Sequence, residues 1–330
     1  MDFSIILSDA IRSGIGPIAA VYALAAMGLN LHFGYTGLLN FGQVGFMLVG
    51  GYGLAITVAT WGGPMWLGIL VGLASAVVLA LLLGLPTLRL RADYLAITTI
   101  AAGETLRLFY RSSWAEPTTG GVFGLQRFAG DFYEMNPIGR GSYGFWMVKF
   151  SARDLWVLIV TWGLVALVGV LLALLIHSPW GRVLKAIRED EDAVRSLGKN
   201  VYAYKMQSLV LGGVIGAAAG MMQAIQVQSA SPDSFDPVVT FFLYTLLVLG
   251  GAGRIMGPVI GSVVFWFLLT FLDSALRQAI DAGYVSPEVI SPAEVGAVRF
   301  ALVGLALILL VAFRPQGILG SRKEMLLSAR

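Results

Sequence analysis

The chain has no cysteine among its 330 residues. Disulfides, thiol catalysis and thiolate metal sites are excluded. Histidine is almost as scarce: only His32 and His177 occur. Neither sits in a metal-ligand spacing; each reads as a residue near a helix end at an interface. HExxH and GxSxG patterns are missing, and no carboxylate pair lies deep in an apolar run, so catalysis has no visible constellation. The glycine-rich "GGAGR" (250–254) is not followed by Gly-Lys-Ser/Thr, so it is no phosphate loop, and no cofactor is expected in this chain. The start, "MDFSIILSDAIR", has Asp2 and Asp9 and no basic head. It is a poor secretory signal and reads as a short interfacial segment before the first span.

Charged residues make up only 12% of the chain, hydrophobic ones 57%, and mean hydropathy is +0.80. Long apolar runs recur, as in "PMWLGILVGLASAVVLALLLGL" (64–85). About 20 such residues cross a bilayer as a helix, and lipid forces backbone groups to pair within the segment. A β-barrel would alternate polar and apolar residues in short strands; no such alternation occurs. Glycine, at 41 of 330 residues, exceeds the average of about 7% and lets membrane helices approach closely. The expected fold is an all-α integral membrane protein, a polytopic bundle of about 8–10 transmembrane segments. Apolar segments fall near 14–32, 41–60, 64–87, 93–110, 154–177, 206–226, 238–252, 257–273 and 297–313. The seventh is short for a straight span, and the second and fourth contain glycine or polar groups suited to a broken helix. No low-complexity linker divides residues 1–330, which read as one membrane domain.

Basic residues set orientation. Arg182, Lys185, Arg188, Arg195, Lys199 and Lys205 lie in the 178–205 loop. Alternating spans put Arg89, Arg91, Arg254, Arg314, Arg322, Lys323 and Arg330 on the same side, which is therefore expected to be cytoplasmic. The opposite side receives the 111–153 loop and the acidic 274–296 loop with Asp281, Glu288 and Glu294. With nine crossings the amino terminus falls outside. The 111–153 loop, with Trp114, Phe123, Phe128, Phe132, Tyr133 and Trp146, reads as an ordered external cap.

One stretch does not fit an oily chain: "SPWGRVLKAIREDEDAVRSLGKN" (178–200). Ser178 and Pro179 can start a helix, and Gly198 can end a second one. Val183, Ala186, Ile187, Val194 and Leu197 lie apart from the charges. A solvated loop that only fixes topology accounts for the cations. It does not account for four consecutive acids, which contribute little to orientation. An amphipathic docking helix for a cytoplasmic partner accounts for both.

Within it, "DAVRSLG" (192–198) resembles the EAA-x-x-x-G coupling motif of importer-type ABC permeases, with Asp192 in place of Glu and Val194 in place of an alanine. The whole of "GRVLKAIREDEDAVRSLGKNVYAYKM" resembles the corresponding loop of the branched-chain amino acid ABC permeases, LivM type. "GLNLHFGYTGLLNFGQVGFMLVGGY" (28–52), "LPTLRLRADYLAITTIAAGETLRL" (85–108), "SPDSFDP" (231–237), "LLVLGGAGRIMGPVIGSVV" (246–264) and "FRPQGILG" (313–320) match the same family in order. The resemblance covers about residues 20–320. It implies a permease subunit of an ATP-driven importer in a bacterial inner membrane. Its implied partners are a LivH-like second permease, two ABC ATPase subunits that bind the ATP, and a periplasmic substrate-binding protein, with no nucleic acid. The implied ATPase-coupling residues are Arg182, Arg188, Glu191, Asp192, Ala193 and Gly198.

Polar residues inside spans are the candidates for the substrate path. Asn40 and Gln43 flank Gly42, where glycine allows a broken helix with exposed ends. Thr98, Thr99 and Glu104 lie in the fourth segment. The threonines can equally bond back to their own helix, and Glu104 can pair with Arg107 three residues on. Asn30, Gln223, Gln226 and Gln228 are lesser candidates, and "GGVIGAAAGMM" (212–222) reads as helix packing. Two other readings stay open: a permease of the same family for urea or a short amide, and a stand-alone secondary transporter. The second needs intramembrane ion or proton sites, and Glu104 is the sole carboxylate well inside an expected span. A membrane enzyme would need the catalytic cluster that the sequence lacks.

Overall fold

The computed structural model describes residues 2–90, 92–139, 141–145, 148–284, 294–314 and 316–320. Arg91, Trp146, Glu288, Arg322, Lys323 and Arg330 lie outside the described residues. In chain order the helices are α1 (Phe3–Ile15), α2 (Pro17–Asn30), α3 (Gln43–Ala55), α4 (Met65–Thr87), α5 (Ala92–Arg111), α6 (Glu116–Thr119), α7 (Gly130–Glu134), α8 (Ala152–His177), α9 (Pro179–Glu189), α10 (Glu191–Ser196), α11 (Val201–Val227), α12 (Pro237–Gly250), α13 (Gly257–Asp281) and α14 (Val295–Phe313). Among the described residues, seven stretches are long and apolar enough to cross a membrane: Phe3–Thr36, Gln43–Thr60, Met65–Thr87, Ala152–His177, Val201–Val227, Pro232–Gly250 and Gly257–Asp281. Helices α5 and α14 fill the fourth and ninth expected segments; α5 carries Asp93, Glu104, Arg107 and Arg111 and is more polar than the seven. The seventh segment reaches 19 residues because a 3₁₀ turn over Pro232–Phe235 precedes α12.

The amino-terminal residues do not form a separate interfacial segment. They are the first half of a kinked span. Asp2 caps α1 by accepting the Ser4 amide at 3.0 Å. The helix breaks at Gly16–Pro17, where proline supplies no N–H, and the indole of Trp162 donates to the freed Ile15 carbonyl at 2.8 Å. α1 and α2 run antiparallel to α13. Asp2 N donates to Gln278 Oε1 (2.7 Å) at one end, and Asn30 Nδ2 donates to the Arg254 carbonyl (2.8 Å) at the other.

The core sits where α2, α3 and α11 meet. Every residue of α3, and every residue of α2 from Ala19 to Asn30, is buried. A helix apolar all round belongs at the centre of a bundle. Small residues make the approach possible: a β-carbon at Gly50 would lie 2.3 Å from the Ala217 carbonyl oxygen, and one at Gly220 only 1.9 Å from that of Met47. The "GGVIGAAAGMM" run is thus a packing surface. α4 and α8 present long exposed apolar faces, including Leu82, Leu85, Leu171 and Leu174, as lipid-facing helices do.

Strands appear outside the spans. β1 (Leu125–Gln126) pairs antiparallel with β4 (Ser229–Ala230), and β2 (Ser142–Phe145) with β3 (Val148–Ser151). The first pair ties the 112–151 segment to the end of α11. In that cap Phe128 and Phe132 are buried, whereas Trp114 and Phe123 are exposed. The opposite end of the bundle carries α9, α10 and the α12–α13 turn. The carboxy-terminal stretch joins it there: Ile318 N donates to the Leu249 carbonyl at 2.9 Å and Leu319 N to that of Gly250 at 3.1 Å.

Candidate functional site

Two sites lie one above the other: a charged helix pair at one end of the bundle, and a break in a span just inside it. The helix pair starts as its sequence dictates. Ser178 is extended (φ −73°, ψ 170°) and Pro179 occupies the first turn of α9. Leu184 and Ile187 are buried, and a β-carbon at Gly181 would lie 2.3 Å from the Ile176 carbonyl oxygen, so α9 folds tightly against the end of α8. Asp190 leaves the helix (φ −153°) and caps α10 by accepting the Ala193 amide at 2.9 Å. Glu191 and Asp192 then fall in the first turn of α10, where the helix dipole favours negative charge. Arg195 reaches back to both, at 2.8 Å each, and Lys205 of α11 pairs with Glu191. Exposed pairs of this kind contribute about 0.2–1 kcal/mol each. Rigidity comes instead from a small core of Ile187, Val194 and Val201, lined by Val183, Ala186 and Tyr204, since burying such a side chain is worth ~1.5–3 kcal/mol.

The implied coupling residues divide. Glu191, Asp192, Ala193 and Gly198 lie on or just past α10, and Arg182 is exposed on α9. Gly198 has φ +76°, and a β-carbon there would meet nothing within 4 Å. Arg188 turns toward the bundle, donating to the Gly34 carbonyl. Leu197 does not join the apolar cluster as its spacing suggested. It is 79% exposed, because α10 is only six residues long and ends before its turn can bring Leu197 back to the core. A bare leucine beside a glycine turn is a feature that sequence spacing hid.

The break begins where α2 widens into a π-helical turn over Leu31–Thr36, a geometry frequent at functional sites. Gly37 (φ +76°) then turns the chain, and residues 37–42 rise without helical structure to the start of α3 at Gln43. His32, Asn40 and Gln43 are fully buried here. His32 Nδ1 and Asn40 Nδ2 are 3.0 Å apart, Asn40 Nδ2 donates to Gln43 Oε1 (3.2 Å), Gln43 Nε2 to the Gly212 carbonyl (3.2 Å), and His32 Nε2 lies 3.2 Å from the Leu209 carbonyl oxygen. The interfacial placement expected for His32 is overturned: it is at a helix end, but the break puts that end inside the protein. His177 is exposed at the end of α8. The Phe41 amide donates to Thr99 Oγ1 (3.0 Å), the Val44 amide to Thr240 Oγ1 (3.1 Å), and Tyr244 Oη to the Asn40 carbonyl (3.1 Å). A β-carbon at Gly42 would lie 2.4 Å from the Thr99 carbonyl oxygen.

The structure thus brings Asn40, Gly42, Gln43 and Thr99 together and leaves Thr98 and Glu104 apart. Thr98 bonds back to the Tyr94 carbonyl at 2.7 Å. Glu104 is clasped by Arg107 (2.6 Å), which also reaches Asp233 (3.0 Å) at the cap end. Sequence reasoning missed Thr36, Ser208, Thr240 and Tyr244. The last two are four apart on α12, the spacing that puts two side chains on one helix face, and that was a readable signal. Below the break lies a cavity of about 290 Å³, walled by Leu38, Leu88, Leu95, Ile187, Arg188 and Lys205 among others.

A buried, broken, polar-lined span beneath a rigid surface helix pair, in a bundle of membrane-length helices, is the architecture of a multi-pass membrane permease. Residues 15–312 match the family model described as "Branched-chain amino acid transport system / permease component". The chain is similar to the high-affinity branched-chain amino acid transport system permease protein LivM of Salmonella typhimurium, 30% identical over 319 residues, spanning 92% of this chain and 69% of that one. It is 28% identical over 318 residues to the Escherichia coli LivM, with the same two shares. It is 26% identical over 344 residues to the probable LivM of Methanocaldococcus jannaschii, covering 91% and 90% of the two chains. The chain belongs to the branched-chain amino acid permease family of ABC transporters.

Proposed function

We propose that this chain is one permease subunit of an ATP-driven importer for branched-chain amino acids in the bacterial cytoplasmic membrane. It forms the pore with a related second permease. An ABC ATPase docks on α9–α10, and a periplasmic binding protein delivers substrate at the cap face. The observation that carries this reading is the α10 end. A rigidly braced, capped helix presents Leu197 bare beside Gly198, with Asp192 and Arg195 around it. Solvated loops that merely fix topology need no internal core. The substrate follows the names of the relatives, and the ATP is bound by the partner, since this chain has no phosphate loop. A stand-alone secondary transporter fits less well, because Glu104 is held by Arg107.

The test is co-purification of this chain with its candidate partners, followed by substrate-stimulated ATPase and uptake assays in vesicles. Full ATP-driven uptake from this permease, ATPase and binding protein alone, without a second permease, would refute the heterodimeric pore. Orientation is checked separately, since the chain has no cysteine of its own. Ser196→Cys is expected to resist an impermeant maleimide in intact cells and to react in inverted vesicles. Labelling from outside would reverse the assigned sides.

A further inference from the structure

Arg188 was grouped by sequence with the residues that meet the ATPase, yet, though exposed overall, it turns its guanidinium toward the bundle. It donates to the carbonyl of Gly34, inside the π-helical turn that precedes the break. Its own backbone and stem lie against Gly37: a β-carbon there would sit 3.2 Å from Arg188 Cγ and 3.5 Å from its Cα. Its Nη1 would be 3.1 Å from a β-carbon on Gly253, in the α12–α13 turn. Three glycines from two distant turns therefore converge on one arginine.

That convergence is tightly built. A β-carbon at Gly34 would fall 2.0 Å from Asn30 Oδ1 and 2.5 Å from the Gly253 nitrogen. Asn30, itself 1% exposed, accepts the Gly253 amide at 2.9 Å and donates to the Arg254 carbonyl at 2.8 Å. The end of α2 and the α12–α13 turn are thereby locked together, and Arg188 bonds to that unit. The break that follows it in the chain has its own polar bonds, joined to it through the backbone of residues 34–40. Thr36 Oγ1 lies 2.7 Å from Ser208 Oγ, the Leu38 amide donates to the His32 carbonyl at 2.9 Å, and His32 leads through Asn40 to Gln43 at the start of α3. The charges of α10 pair among themselves and with α11: Glu191 with Arg195 and Lys205, and Asp192 with Arg195, although Glu191 and Lys205 line the same cavity as Arg188 and Gly37.

We propose that Arg188 is the positioning residue that carries movement of the ATPase-docked helix pair into the 34–42 break, by holding the Gly34 carbonyl. α10 supplies the outward grip and Arg188 the inward one. This rests on the proposal that an ATPase docks on α9–α10. An arginine suits the task because its planar fork bonds while held rigidly, whereas lysine offers a point charge on a flexible stem.

The experiment is hydrogen-exchange mass spectrometry on the full complex in nanodiscs, with and without a non-hydrolysable ATP analogue, combined with ATPase retention on pull-down and uptake. In the wild type the analogue is expected to change exchange of the peptide spanning residues 34–43. In Arg188→Ala that peptide is expected to exchange about ten-fold faster, the scale set by losing one charged hydrogen bond. It should no longer respond to the analogue, and uptake should fall about as far while the ATPase stays bound. Arg188→Lys should recover part of the response. Asp192→Lys should do the reverse, releasing ATPase while leaving resting exchange at 34–43 normal. Should Arg188→Ala fail to accumulate, Gly253→Ala perturbs the same contact, because its β-carbon crowds Nη1 and alanine strains the turn at φ +76°. A wild-type response at 34–43 in Arg188→Ala or Gly253→Ala overturns the proposal, and so does loss of ATPase on pull-down from Arg188→Ala, which would make Arg188 a docking residue. If the wild-type chain binds no ATPase, the functional reading itself fails.

Discussion

Asp192→Lys and Gly198→Val are expected to reduce uptake about ten-fold or more and to release the ATPase, with near-normal amounts of permease in the membrane. The two act by different physics. Asp192 lies in the first turn of α10 and pairs with Arg195 at 2.8 Å. Lysine there opposes the positive helix end and repels the arginine. Asp192 is 88% exposed at its side chain, so the change falls on the outer surface. Gly198 has φ +76° with open space around it. Valine therefore meets no clash; the cost is backbone strain, ~1–2 kcal/mol, which shifts the turn and with it Leu197. Gly198→Ala should be milder, as alanine lacks the β-branch. Both sites lie outside the core of the bundle, so accumulation is spared. Uptake and pull-down are measured together. Normal import and normal ATPase retention in both variants would mean that residues 190–199 are only a solvated loop.

Gly220→Ala is expected to prevent accumulation of folded protein or to lower its melting temperature steeply, whereas Gly163→Ala should leave it equal or slightly raised. A β-carbon at Gly220 would lie 1.9 Å from the Met47 carbonyl oxygen and 2.6 Å from its Cα. Both are backbone atoms, so no rotamer change relieves the contact and α3 must move off α11. Overpacking a core typically costs about 1–3 kcal/mol, and α3 is buried on all sides. Gly163, on the exposed side of α8, would find nothing within 4 Å. Alanine there gains helix propensity, about 1 kcal/mol in an ordinary helix. Thermal unfolding in detergent, read by a conformational dye or tryptophan fluorescence, separates the two. Equal stability of the variants would refute the close α3–α11 approach.

Much of the architecture was legible without coordinates. Apolar length is read directly from sequence, because lipid demands about 20 residues of self-paired backbone, and all nine expected segments contain a helix. The coupling segment was legible for another reason. Ser178, Pro179 and Gly198 act within a few residues of themselves, so their effect on helix ends needs no knowledge of the rest of the fold. Asp190 as the α10 cap belongs to the same class, and the run of four acids hid which one it was.

The tertiary structure decided what depends on neighbours distant in sequence. His32 looked interfacial because its segment was ending; the break over residues 37–42 folds that end inward, where the Leu209 carbonyl and Asn40 meet it. The amino-terminal residues looked peripheral because Asp2 and Asp9 are polar, but packing on α13 and the cap from Asp2 make α1 part of a span. Thr98 and Thr99 are adjacent and alike in sequence. Both hydroxyls bond back to their own helix, but helical rotation buries Thr99 so that it also accepts the Phe41 amide, 58 residues away. The same holds for Arg188 and Arg182, two cations of one helix. Arg188 meets Gly34, Gly37 and Gly253 because glycines let three backbones close to within reach of one side chain. Composition, span length and local caps are properties of short windows, so the sequence by itself determined them. Which polar group meets which, across more than a hundred residues, is settled only when the helices pack.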